Sequence, residues 1–245
     1  MTRLKAAICT ISALAEADKA ALWALYAAHY DAVDEARFRA DLSEKDALVT
    51  LRDPAGALKG FSTYQLIDAA DADGPARFLY SGDTIIDPAW WGRNDFAQAW
   101  LHQAGAIAAR APTPLYWLLI VKGHRTYRYL SVFAKTFTPR REGAPADLEA
   151  LRDTIAALKF GPSFTRGLVR FSQSRGQLKP ALAEIPAKDR ARPEVAFFLA
   201  ANPDYARGDE LVCLCRLAPD NLQPIARRAF EAGAAEARDA ASGRC

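Results

Sequence analysis

Residues 76–121 read ARFLYSGDTIIDPAWWGRNDFAQAWLHQAGAIAARAPTPLYWLLIV, and their pattern decides the fold. Ala76–Asp87 is aromatic and β-branched enough for a strand, and Gly82 inside it suggests a bulge or a close backbone approach. Pro88 ends the strand. From Asn94, residues Phe96, Trp100, Ala104 and Ile107 keep a helical period until Arg110 and Pro112 stop it. Leu115–Val121 is a nearly continuous apolar run, which fits a strand covered on both faces. Strand, helix and buried strand in that order predict two parallel neighbours joined by a right-handed crossover.

Upstream, Leu4–Ile11 reads as a first strand, after which Ser12 is placed to cap a helix bearing Leu14, Ala17, Ala21, Leu25 and Ala28, flanked by Trp23, Tyr26 and Tyr30. A short helix from Asp34 carries Phe38 and Leu42 on one face. Ala47–Ile67 holds two strand-like runs around Asp53-Pro54-Ala55-Gly56, which predicts an antiparallel hairpin. A polar stretch at Asp68–Pro75 then leads into Ala76. The expected class is therefore α/β (α+β), with a mixed central β-sheet flanked by helices and a C-terminal extension.

Downstream, Glu142–Pro145 is the expected junction between a core at 1–141 and a region at 142–245 that completes or extends the same sheet. That region offers a helix through Leu148, Leu151, Ile155 and Leu158, strand-like Phe164–Phe171, a basic stretch, and a short helix from Pro193. Asp209–Leu217 is the clearest late strand, and Asp220 is placed to cap a last helix.

With 245 residues, 51% hydrophobic and 25% charged, the chain can bury a full core. Its net charge of +3 gives no reason to invoke nucleic acid. None of the four cysteines makes a paired CxxC spacing, so no metal site is expected, and Cys213 and Cys215 read as buried thiols on one face of a strand. The apolar stretch Ala6–Leu14 is short and runs straight into a helix, so it reads as structure rather than a signal peptide, and no apolar run is long enough for a membrane span. A cytoplasmic location is the default expectation.

The stretch Thr84–Leu101 places a proline, a glycine and exposed amides between a strand and a helix N-terminus, a geometry that favours anions. Arg93 adds a charge contact, while Asn94 or Asp95 can cap the helix. At this point the chain resembles the GNAT superfamily of N-acyltransferases. That family carries a strand, a valine-x-proline step and a glycine-rich loop opening a helix that cradles the coenzyme A pyrophosphate. Ile86-Asp87-Pro88 matches the step and Gly92 the first loop glycine. Trp91 stands near an expected basic or polar residue, Asn94 replaces the second glycine, and Phe96 replaces a small residue.

The resemblance extends by element order over residues 4–140, with Ser81-Gly82-Asp83 where the family's bulge lies. It implies transfer of an acyl group from an acyl-thioester, acyl-coenzyme A, to an amine acceptor, with no permanently bound cofactor. Ile86, Trp91, Gly92, Arg93, Asn94 and Asp95 would then contact the donor. The family's acid is a tyrosine after the fifth strand, which here implies Tyr129 or Tyr127, with Phe133 in an alternative register that cannot serve. Asp83 or His124 would be the base. Tyr129 is preferred over Tyr127 because it shares a helix face with Arg125 and Phe133. His29 and His102 read as structural.

The basic cluster Lys122, His124, Arg125, Arg128, Lys135, Arg140 and Arg141 reads first as a solvated helix face. If functional, it would receive an acyl carrier protein or a carboxylate-bearing acceptor. Two other functions stay open: a carrier-protein-dependent synthase of N-acyl amino acids or signals, and a catalytically silent binding module.

Overall fold

The computed structural model describes residues 3–242. One large sheet organises it. Strands β1 (Lys5–Thr10), β3 (Ala47–Arg52), β4 (Leu58–Asp71) and β5 (Gly74–Ile86) pair antiparallel in succession. Strand β6 (Leu115–Val121) joins β5 in parallel, as the β5, α3 (Asp95–Ala108), β6 sequence requires. Strand β10 (Glu210–Arg216), from the late part of the chain, then pairs antiparallel with β6 on one side and β8 (Leu168–Val169) on the other. The order is β1-β3-β4-β5-β6-β10-β8-β7, with β7 at Phe164–Thr165. A separate two-residue pairing joins β2 (Tyr30–Asp31) to β9 (Gln177–Leu178).

Helices cover both faces. Helices α1 (Glu16–His29) and α2 (Glu35–Ser43) pack on Leu48, Phe61 and Ile85. Helix α5 (Ala146–Phe160) packs on Phe78, Leu118, Val212 and Leu214 of the same face. The opposite face, with Val49, Leu79, Trp117, Leu119, Cys213 and Cys215, is covered by α3, α4 (His124–Phe133), α8 (Pro193–Ala201) and α9 (Pro224–Ser242). Phe61, Phe78, Phe133 and Phe198 are fully buried, each contributing about 2–3 kcal/mol of transfer free energy.

The bulge falls at Gly82, as its glycine suggests. Ser62 faces Thr84 and Tyr64 faces Ser81, so Gly82 and Asp83 together oppose Thr63. One extra residue flips the pleat: Phe78 and Tyr80 point to the α1/α5 face before the bulge, and Ile85 does so after it. A Cβ at Gly82 would stand 2.6 Å from Thr63 Oγ1 and 2.9 Å from Lys45 Cε, so the residue must lack a side chain. Helices α3 and α9 touch main chain to main chain. A Cβ at Gly105 would overlap the Phe230 carbonyl, and one at Gly233 the His102 carbonyl.

Several expectations change. Ser12 does not cap α1; it lies in a single 3-10 turn, and the helix begins at Glu16 after Ala15, without a side-chain cap. Asp34 does cap α2, accepting from the Arg37 amide at 2.8 Å. The polar stretch at Asp68–Pro75 belongs to the β4–β5 hairpin, because Asp68 and Arg77 face each other and their ion pair at 2.6 Å keeps a polar ladder closed. Phe164–Phe171 is two two-residue strands rather than one. The last helix starts at Pro224, and Asp220 bonds the Asn221 amide instead of capping it. The basic stretch folds into β9, α6 (Pro180–Ala183) and α7 (Ala187–Arg190). Among the described residues no helix is long and apolar enough to cross a membrane.

Candidate active site

The parallel ladder between β5 and β6 runs from Arg77↔Leu115 to Ser81↔Leu119 and stops there. Both strands continue, β5 to Ile86 and β6 to Val121, so beyond the bulge they part. A cavity of about 540 Å³ fills the gap, lined by Gly82–Ile86 from one strand and Ile120–Lys122 from the other. The sheet is mixed, as expected from the β5–α3–β6 order. Four antiparallel strands lead to a parallel pair that parts at the bulge, and an antiparallel strand lies beyond it.

No family model matches the sequence, and no curated protein matches it. Solved structures do align with it. A CoA-bound GNAT family N-acetyltransferase, YhbS of Escherichia coli, aligns at a TM-score of 0.45 and 11% identity over 90% of this chain and 84% of that one. A probable N-acyltransferase of Enterococcus faecalis V583 gives 0.41 and 13% over 54% of this chain, which spans 33% of that protein. ElaA of Escherichia coli gives 0.36 and 14% over 56% and 88%.

The β5–α3 loop edges the cleft, with Trp90–Asn94 lining it. Pro88–Trp90 forms one 3-10 turn, Gly92 takes φ +78°, and nothing lies within 4 Å of where its Cβ would be. The two tryptophans are pinned. Trp91 Nε1 donates to the Ile86 carbonyl at 2.8 Å, and the Arg125 guanidinium lies 4.1 Å over its ring. Arg93 lies 4.7 Å over Trp90 while its Nε bonds Asp95 at 2.8 Å. Asn94 stands at the α3 N-cap without a side-chain cap bond, which leaves first-turn amides open, and Asp95 in that turn is compensated by Arg93 and Arg3. Ile86, Trp91, Gly92, Arg93 and Asn94 all line the cavity, whereas Asp95 lines a separate groove beside β1.

Of the expected acid–base residues, Asp83, His124 and Tyr129 line the cavity. Asp83 sits on the bulge with no hydrogen bond or close ion pair among the described residues, and burial followed by the Asp41 charge, against the pull of Lys122 and Lys45, pushes its pKa up to about 7. Burial and Arg125 draw His124 down to about 4, so its imidazole is neutral at pH 7. Tyr129 packs on Phe96 and Phe133, its hydroxyl is unbonded among the described residues, and burial pushes it up to about 12. Tyr127 lies elsewhere: its hydroxyl donates to the Pro139 carbonyl at 2.9 Å and its ring packs with Phe137, Phe197 and Phe198. The helix turn that brings Tyr129 to the cleft sends Tyr127 into the core.

The basic cluster is not one solvated face. Lys122 pairs with buried Glu210 at 3.3 Å, His124 is buried, Arg125 stacks on Trp91, and Lys135 bonds the Asp220 carbonyl. Glu210 went unread in the sequence, although an acid at the start of β10 and a base at the end of antiparallel β6 are a charge pair in register. Tyr26 and Tyr30, read as flanks of a core helix, also line the cavity; burial and the Asp83 charge hold both phenols protonated.

A strap, residues 171–189, roofs this part of the cleft. Core side chains hold it by its main chain: Tyr26 Oη and Lys122 Nζ both donate to the Arg175 carbonyl at 3.1 Å, Arg37 to Ser174 O at 2.8 Å, and Arg125 to Leu182 O at 3.2 Å. Arg175 itself lies 4.1 Å over Phe171 and 3.5 Å from Asp41. His29 lines the cavity, its Nδ1 at 2.8 Å from Leu25 O and its buried Nε2 without a hydrogen-bond partner among the described residues, and His102 pairs with Glu236 at 3.0 Å between α3 and α9.

Proposed function

We propose that the chain is an N-acyltransferase that moves an acyl group from acyl-coenzyme A to a primary amine. The observation that carries this reading is the split parallel pair, with a carboxylate on its bulge and a tyrosine hydroxyl on the helix after β6 that make no hydrogen bond among the described residues. A thioester arm fits between the strands, where the β5 main chain beyond Ser81 has lost its β6 partner and can bond the arm in its place. The donor's phosphates fit the loop, where Gly92 leaves the main chain uncovered, α3 presents open amides, and Arg93 and Arg125 supply charge.

Asp83 takes the proton of the attacking amine. A base poised near 7 suits that task better than His124 near 4, which is too weak to hold a proton at neutral pH. The amine nitrogen then bonds the thioester carbonyl carbon. As that tetrahedral centre collapses, the carbon–sulfur bond breaks and the thiolate takes a proton from Tyr129, which burial keeps protonated until about 12.

Titration calorimetry with acetyl-coenzyme A tests the donor half. Gly92→Val, strained at φ +78° yet facing open space, should weaken binding at least tenfold with an unchanged fold. Tyr129→Phe should slow turnover about a hundredfold where chemistry limits the rate. A wild-type protein that binds neither acetyl-coenzyme A nor an acyl carrier protein thioester would overturn the reading.

A further inference from the structure

The roofed end of the cleft has a composition that selects its occupant. Its walls are aromatic, with Tyr26, Phe38, Tyr30, Tyr80 and Phe171 around the space beside Asp83. Five carboxylates line the cavity, and four are engaged. Asp34 caps α2, Asp41 holds Lys45 at 2.6 Å and Arg175 at 3.5 Å, Glu210 holds Lys122 at 3.3 Å, and Asp189 holds Arg192 at 2.9 Å. Asp83 is left as the one without a hydrogen bond or close ion pair among the described residues; the Lys122 and Lys45 charges act on it from a distance, each already held by its own carboxylate, Glu210 and Asp41. One open carboxylate takes one ammonium.

Three of the five rings already carry a cation. Lys122 lies 5.2 Å over Tyr30, Lys159 lies 4.5 Å over Tyr80, and Arg175 lies 4.1 Å over Phe171. A ligand's charge therefore belongs at Asp83 and not in an aromatic cage, and what remains of the rings offers apolar contact to the ligand's body. A polyamine would bring a second ammonium beside Lys122 and Arg175 with no free carboxylate to meet it. A protein side chain or terminus would have to pass under a strap tied down by Tyr26, Lys122, Arg37 and Arg125.

We infer that the acceptor is a small monoamine with an aromatic-sized apolar body, bound beneath the 171–189 strap with its ammonium on Asp83 and its body against Tyr26, Tyr30 and Phe171. This rests on the acyltransferase reading for the word acceptor, but the binding site stands without it. The structure assigns the strap to specificity: Phe171 and Arg175 belong to it and close the pocket over the amine.

The test is calorimetric binding of 2-phenylethylamine to the full chain at about pH 8, with no donor present, where Asp83 is ionised and the amine still protonated. Spermidine, phenylalanine and a tripeptide with a free N-terminus serve as competitors. Expected is a Kd of about 1 mM or tighter for 2-phenylethylamine, weakened at least tenfold in Asp83→Asn and about fivefold in Phe171→Ala. Circular dichroism and melting temperature check that both variants fold. Tighter binding of spermidine would overturn the single-ammonium argument. Preference for phenylalanine would show that a cation of the cleft takes a carboxylate, and preference for the tripeptide that the strap does not exclude peptides; either overturns the assignment. No binding of any amine does the same. Titrations of acetyl-coenzyme A and an acyl carrier protein thioester are run separately: an amine bound when neither donor binds leaves this pocket standing and removes the acyltransferase reading, and a donor bound without an amine does the reverse.

Discussion

Helix α9 and the strap both come from the last third of the chain and both close over the sheet, yet they are held by opposite means. Helix α9 lies against α3 through two glycines, Gly105 and Gly233, where main chain meets main chain without room for a methyl group. The strap is held by long side chains of the core that reach its carbonyl oxygens at 2.8 to 3.2 Å. Close main-chain contact has one arrangement and resists change, because packed interiors do not deform continuously. Side-chain tethers are separable bonds, each worth about 1 kcal/mol, that can open singly. The molecule thus places its rigid contact behind the sheet and its releasable one over the cleft.

The sharpest way to break this comparison is Gly233→Val. Its side chain would need the space of the His102 carbonyl, so α9 must lift from α3 at an expected cost of about 4 kcal/mol or more, read as a fall in urea midpoint or failure to fold. A loss below about 1 kcal/mol would mean that the two helices can slide, and the contrast would fail.

Asp83 gives an intermediate effect with a definite sign. Its folded value is raised from 3.8 to about 7, so the folded state favours the neutral carboxyl. Ionisation therefore opposes folding increasingly as pH rises from about 4 to about 7, and the full penalty persists above that. Asp83→Asn should leave stability unchanged near pH 4 and raise it by about 1–2 kcal/mol at pH 8, followed by thermal melts across the range. A variant destabilised at pH 8 would show that the carboxylate is paired in solution. In the wild type, amine acylation should climb with pH through about 7 as Asp83 becomes able to take a proton.

The smallest effect concerns one tether. Tyr26→Phe removes the bond to the Arg175 carbonyl and should cost about 1 kcal/mol of stability, with faster amide exchange confined to 171–189. Exchange spreading into β10 would mean that the strap and the sheet open together.

These two modes of attachment also explain what the sequence disclosed. The β5–α3–β6 unit was legible because Phe96, Trp100, Ala104 and Ile107 repeat at helical spacing and Leu115–Val121 is uniformly apolar. The bulge was legible through Gly82. Asp83, His124 and Tyr129, which the family resemblance offered, line the cavity. The strap was not legible, because a carbonyl oxygen has no residue code. Its donors lie far off in the chain: Tyr26 is 149 residues from Arg175, and Arg37 is 137 from Ser174. The strand character of Asp68–Asp71 was not legible for a related reason: it rests on the cross-strand pairing of Asp68 with Arg77, which no local composition shows.

Strand β10 sits in the middle of the sheet, between β6 and β8, and carries Cys213 and Cys215 fully buried against the helix layer. Burial pushes both thiols up, Cys215 to about 12, so neither presents a thiolate to an alkylating reagent while the sheet is closed. Cys9, on edge strand β1, is partly exposed. The chain therefore carries its own stopwatch. A pulse of iodoacetamide marks the edge at the rate of reagent encounter and marks Cys213 and Cys215 only as often as the centre of the sheet comes apart. Comparing the two tells how long the interior stays shut between openings.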